Sequence, residues 1–131
     1  MESILTSIKK LLGIEESYEH FDPDIIIFIN TAFSVLNQLG VGPKTPFRIT
    51  DKSQTWDQFL VSWEEGNERI DMEMAKAYVY LKTRLTFDPP TSSAAMDAFQ
   101  AQLSEIEWRL NVLCDDTWLD EEVTTDETTT D

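Results

Sequence analysis

The chain has 131 residues and a formal net charge of −15, with 10 Lys and Arg against 25 Asp and Glu. That length suits one domain with one modest core, and the 41% hydrophobic content is globular rather than disordered. The acidity argues against a phosphate-gripping surface, which needs clustered cations, although an acidic wall still lets DNA slide past without sticking.

The first element is a short amphipathic helix. Ile4, Leu5, Ile8, Leu11 and Leu12 share one stripe, and Gly13 stands where a left-handed cap belongs. Lys9 and Lys10 fall in its last turn, which suits the helix dipole. This opening has no basic-then-apolar order and no cleavage site, so a signal peptide is not expected. An irregular link, 14–21, follows.

Phe21-Asp22-Pro23-Asp24 reads as a helix start, with Asp22 as cap and Pro23 in the first turn. This second helix should run to about Leu39 and stop at Gly40. It is apolar on more than one side, so it is either central in the core or shared between subunits. Residues 40–54 hold two Gly and two Pro and form a long loop, with a brief extended piece at 47–50. Three of the ten cations lie there: Lys44, Arg48 and Lys52.

Thr55 and Gln58 fit a capping box for a short helix to about Trp63. After a break at Gly66-Asn67, a longer helix is predicted over 68–87, ended by Asp88-Pro89-Pro90. Thr91, Ser92 or Ser93 should cap the last helix, whose seam is Met96, Phe99, Leu103, Ile106, Leu110 and Leu113. Leu103, Ile106 and Leu110 are expected to pack against Ile70, Met74 and Leu81, with Ile29 and Leu36 between them. Trp56 and Trp63 read as packing residues, and Trp108 as core or interface.

Residues 114–131 carry eight carboxylates and no Lys or Arg. Such a segment has too little apolar surface to offset its ordering entropy, so it needs something else to hold it. Trp118 and Leu119, with Val123 nearby, are the apolar anchor expected to grip a partner. The remaining 1–113 hold 10 basic and 17 acidic groups, so the body is acidic in its own right. The fold class is therefore all-α: a small bundle of three main helices with short N-terminal and middle helices, a long loop and an extended acidic tail.

Little here points to catalysis. His20 is the one histidine and Cys114 the one cysteine, so neither an internal disulfide, a usual zinc site nor a Cys/His nucleophile pair is expected. No phosphate-cradling Gly-rich loop occurs, and the tail acids lack the order of a calcium loop. No catalytic residue, cofactor or metal is expected, and the longest apolar run, 25–29, is too short to span a bilayer.

Four stretches together resemble a known family: FDPDII, LNQLGVGP, AYVYLKTRLTFDPPTSS and EIEWRLN. They are similar to the head–tail connector, or adaptor, proteins of tailed bacteriophages, from about Ser3 to Val112. The resemblance implies a helical connector domain, 1–113, and a C-terminal segment, 114–131, that reaches onto the portal. It also implies a ring, expected to be a dodecamer, between the portal and the next neck protein. That ring would extend the channel for double-stranded DNA without binding it specifically. A virion location after assembly in the host cytoplasm follows, with no membrane partner. Trp118, Leu119 and Val123 would meet the portal; Lys44, Phe47, Arg48 and Ile49 would meet a neighbouring subunit or the downstream protein. A different class stays open on residues alone, a small acidic DNA-mimic inhibitor. It requires carboxylates spread over one face, whereas the densest acidity here is in the tail.

Overall fold

The computed structural model describes residues 2–63 and 71–114. Five helices occur among them: α1 (Ile4–Leu12), α2 (Asp22–Gln38), α3 (Trp56–Ser62), α4 (Met72–Phe87) and α5 (Ser93–Cys114). The all-α bundle expected from the sequence is what forms. No strand is present among the described residues, only an isolated bridge between Ser3 and Thr55.

Each helix starts for a local reason. Ser3 caps α1 by accepting from the Thr6 backbone N–H, and Gly13 closes it at φ 81. Thr55 and Gln58 form the expected capping box on α3. Asp71 caps α4 through the Glu73 N–H, so that helix begins at Met72, later than predicted. The Ser92 hydroxyl accepts from the Ala95 N–H at the start of α5. The start of α2 differs from expectation. Phe21 holds the cap position without a side-chain bond, and Asp22 is the first helical residue.

Asp22 is used elsewhere. The Lys9 Nζ sits 2.9 Å from its Oδ1 and donates to the Glu16 and Tyr18 carbonyls at 3.0 and 2.7 Å. Lys9 is 2% exposed. One buried ammonium thus ties the end of α1, the link and the start of α2 together. A charge can be buried here because carbonyls and a carboxylate surround it.

The core lies between α1, α2, α3 and α4, with α5 against α4. The α2–α4 pairing is the most extensive, and α4 also packs on α1 and α5. This corrects the expected layering, in which Ile29 and Leu36 lay between α4 and α5. The central helix is α4, which carries buried Ala75, Tyr78, Val79 and Leu81. Leu103 and Leu110 of α5 are buried and join the same cluster, while Phe99 and Ile106 are half-buried against it. Two expected core positions are largely open, Leu11 at 55% and Leu113 at 41% exposure. Ile70 lies outside the described residues.

Trp56 and Trp63 are buried as expected. The Trp56 Nε1 donates to the Ser7 Oγ at 3.0 Å, which satisfies the indole inside the core. The Tyr78 hydroxyl donates to Glu107 Oε2 at 2.7 Å, fastening α4 to α5. Burial, reinforced by that hydrogen bond and by the Glu107 charge, pushes the Tyr78 phenol well above the ordinary tyrosine range.

Two outcomes are expected. Leu110→Ala should cost about 2–5 kcal/mol in denaturant unfolding, whereas Trp108→Ala, at a 68% exposed site, should stay within about 0.5 kcal/mol. Equal costs would contradict this packing. The Tyr78 phenol loses its proton more readily in the unfolded chain, so the unfolded state binds fewer protons at high pH. Stability is therefore intact below the ordinary tyrosine value of about 10 and falls as pH rises beyond it. Tyr78→Phe should flatten that alkaline decline in a series of melts at increasing pH.

Candidate functional site

The loop between α2 and α3 is held closely to α2. Asn30, buried in α2, treats Ile49 as a neighbouring strand would. Its Nδ2 donates to the Ile49 carbonyl at 3.0 Å, and its Oδ1 accepts the Ile49 N–H at 2.7 Å. Two turns on, the Asn37 Nδ2 donates to the Pro43 carbonyl at 2.7 Å. Val41 N–H returns to the Leu36 carbonyl at 2.8 Å and its side chain is buried. Gly42, at φ 106, would place a Cβ 3.2 Å from the Phe59 ring, so a side chain there is both strained and crowded.

These bonds sort the predicted loop residues into two groups. Ile49 is 1% exposed and belongs to the core cluster. Phe47 packs edge-on against Phe33 and Phe59, with centroids 5.3 and 5.4 Å away. Both side chains are spent within the domain. Lys44 and Arg48 remain exposed. The cationic loop therefore presents charge outward on an apolar footing.

Further along, Asp51 Oδ1 accepts from the Ser53 N–H at 2.7 Å and the Ser53 hydroxyl at 2.5 Å. These bonds hold its carboxyl below the usual aspartate value. The Gln54 Oε1 takes the N–H groups of Thr50 and Asp51. Lys52 lies beside Glu16 and Glu19, at a shallow acidic depression.

Trp118, Leu119 and Val123 lie outside the described residues. The structure brings together a different apolar site at the C-terminal end of α5. Met74, Trp108, Val112 and Leu113, with Arg109 at the rim, line a groove of about 240 Å³. Trp108 is 68% exposed, so of its two readings, core or interface, the core one does not hold. Ile27 of α2 is 60% exposed. The sequence did carry a signal for these two. Ile27 sits on a helix apolar beyond one stripe, and Trp108 falls off the α5 seam.

His20 stacks near Tyr18 and Phe21 and is exposed. Among the described residues, no three His, Cys, Asp or Glu side chains stand where they could hold a metal ion. No described helix is long and apolar enough to cross a membrane. The described residues thus present a pinned loop with Lys44 and Arg48 exposed and a groove beside exposed Trp108.

The family described as "Phage connector protein" matches residues 4–117, most of the chain. No curated protein and no solved structure matches. The match takes in all five described helices, α1 through α5. The chain belongs to the phage connector protein family, whose members have a structural role at the join of phage head and tail.

Proposed function

We propose that the protein is a neck subunit that forms a ring between the portal and the next neck or tail-completion protein, extending the DNA channel. The family match across residues 4–117 carries this reading. The composition supports it. The body is acidic overall, with 10 basic against 17 acidic groups over 1–113, which disfavours lasting contact with duplex DNA. The loop with Lys44 and Arg48 exposed suits a neighbouring subunit or the downstream protein.

In this reading residues 1–113 are the ring-forming domain and 114–131 the portal-binding segment. Trp118 and Leu119 supply most of the affinity, and Val123 adds to it. The tail carboxylates set orientation and on-rate against portal Lys or Arg. The weight falls on the aromatic because exposed charge pairs contribute only about 0–1 kcal/mol each. The protein acts without catalysis or cofactor, is assembled in the host cytoplasm, and ends in the virion neck as a ring expected to hold twelve copies.

Deleting residues 114–131 should leave a body that melts as the full chain does but fails to join particles. Trp118→Ala should cause most of that loss, whereas neutralising two or three tail acids should mainly change the salt dependence of incorporation. Infectious particles with normal amounts of the tail-less protein would refute the portal-binding role. The channel reading has its own check. The purified protein should leave duplex DNA unshifted in gels at physiological salt, and tight binding would contradict a passive lumen.

A further inference from the structure

Residues 25–43 hold no charged side chain, in a chain with 35 charged residues among 131. Most of this run is α2. At about 100° per residue, α2 has three faces. Ile25, Ile29, Ala32 and Leu36 are buried on the side toward the core. Asn30, Phe33 and Asn37 face the pinned loop. Ile27, Thr31, Ser34 and Gln38 form the remaining stripe, about half a turn from the buried one. Ile27, Thr31 and Gln38 are exposed and Ser34 is half-buried. Asp24 begins this stripe one turn before Ile27 and is exposed; from Ile27 to Gln38 the outward face carries no charge, out of keeping with the rest of this surface.

A second open face lies on another side of α4. Leu103 and Leu110 turn α5 toward the core. Ala101, Trp108 and Val112 fall about half a turn away. α2 and α5 both lean on α4 rather than extensively on each other, so their outward stripes belong to different flanks.

The exposed charges bordering the two flanks are opposite in balance, two cations to Asp24 beside α2 and two acids to Arg109 beside α5. The loop along α2 exposes Lys44 and Arg48, and no carboxylate among the described residues pairs with either. On α5, Asp97 and Glu105 are exposed beside the apolar stripe. The cation there, Arg109, is already bound to Glu105 at 2.9 Å. Like-with-like pairing would bring cations against cations or acids against acids. Unlike pairing sets the cationic excess of one flank against the acidic excess of the other.

We infer that the uncharged α2 stripe of one copy seats against the Trp108 face of α5 on the next, with Lys44 and Arg48 opposite Asp97 and Glu105. The contact is head-to-tail, so each copy keeps one free face of each kind and the series ends only by closing into a ring. This inference rests on the ring reading above and names the two surfaces that build it.

The test is a cross-linking ladder in assembled particles. The chain carries Cys114→Ser to remove the native thiol, then Ile27→Cys, Trp108→Cys or both. A short bis-maleimide is added. The double variant should give a ladder of dimers, trimers and higher multimers, and each single variant should stay monomeric on a denaturing gel. Dimers from a single variant would mean like faces meet, and would overturn the inference. So would a double variant that stays monomeric in intact particles. As a second measure, Arg48→Glu should lower incorporation about tenfold, and adding Glu105→Lys should restore it. No loss with Arg48→Glu, or no rescue, counts against the pairing. Imaging separates this inference from the ring reading. A ring at the neck with Trp108 facing solvent would sink the interface alone. A ladder from rings found away from the head–tail join would sink the neck role alone.

Discussion

The segment of the α2–α3 loop around Ile49 is held by one buried side chain, the Asn30 amide. A long loop over a small core leaves backbone groups that must find partners or cost free energy. Asn30 supplies both partners for Ile49, a donor and an acceptor, from inside a helix. The Ile49 side chain can then be buried without orphaning its own peptide groups, and Phe47 comes to rest on Phe33 and Phe59. Losing the amide would leave a buried N–H and C=O unpaired, about 1–3 kcal/mol for each group. The loop's surface chemistry depends on the same bonds. With Phe47 and Ile49 anchored inward, Lys44 and Arg48 are left facing out.

Lys9 performs a related task at the other end of α2. The sequence suggests a lysine serving the α1 dipole. In the fold its ammonium is enclosed by two carbonyls and the Asp22 carboxylate. This also explains why Asp22 does not cap α2. Asp22 is the first helical residue, one position past the cap, and its carboxylate turns toward the Lys9 ammonium rather than back onto the helix N–H groups. The ion pair and the carbonyls together make a short link follow one path. Breaking such a pair from one side is costly because it leaves the other charge stranded.

How much was legible follows from the range of each interaction. The Thr55 capping box, the Ser92 cap and the Gly13 stop depend on residues within a turn of each other, and these were readable, whereas the expected Asp22 cap and the start of α4 were not. Thr55 with Gln58 is the clearest case. The burial of Trp56 and Trp63 also came through, since large aromatics on a short helix have few other uses. The layer order did not. Whether α2 or α4 lies at the centre depends on contacts far apart in sequence, and both helices carry apolar residues on several sides. The start of α4 was misplaced because Asp71, a good cap, sits inside a pattern that reads as helix from 68. The candidate site divided in the same way. Lys44 and Arg48 were readable as a cationic loop, but the inward turn of Ile49 needs Asn30, nineteen residues away. The Trp108 groove needs Met74 from another helix.

A net charge of −15 and self-association pull in opposite directions, and distance decides between them. At physiological ionic strength, screening cuts off interactions beyond about 8 Å. Over that range copies of this chain meet local charge rather than net charge. In the proposed ring, the groups that come closest are an uncharged helix face, an exposed tryptophan and opposite charges at the rim. In that arrangement the body acids other than Asp97 and Glu105 stand outside that short range, and those of the tail are assigned to the portal. Their repulsion is weak per pair but summed over every copy, and it acts against assembly in free solution more than against a ring already held in place. A subunit built this way stays soluble while dispersed and gains its neighbours when a platform fixes their spacing. That division would also account for a largely uncharged helix face on a strongly acidic protein. In the proposed ring the overall charge would keep free chains apart and leave the stripe from Ile27 to Gln38 to make the contact.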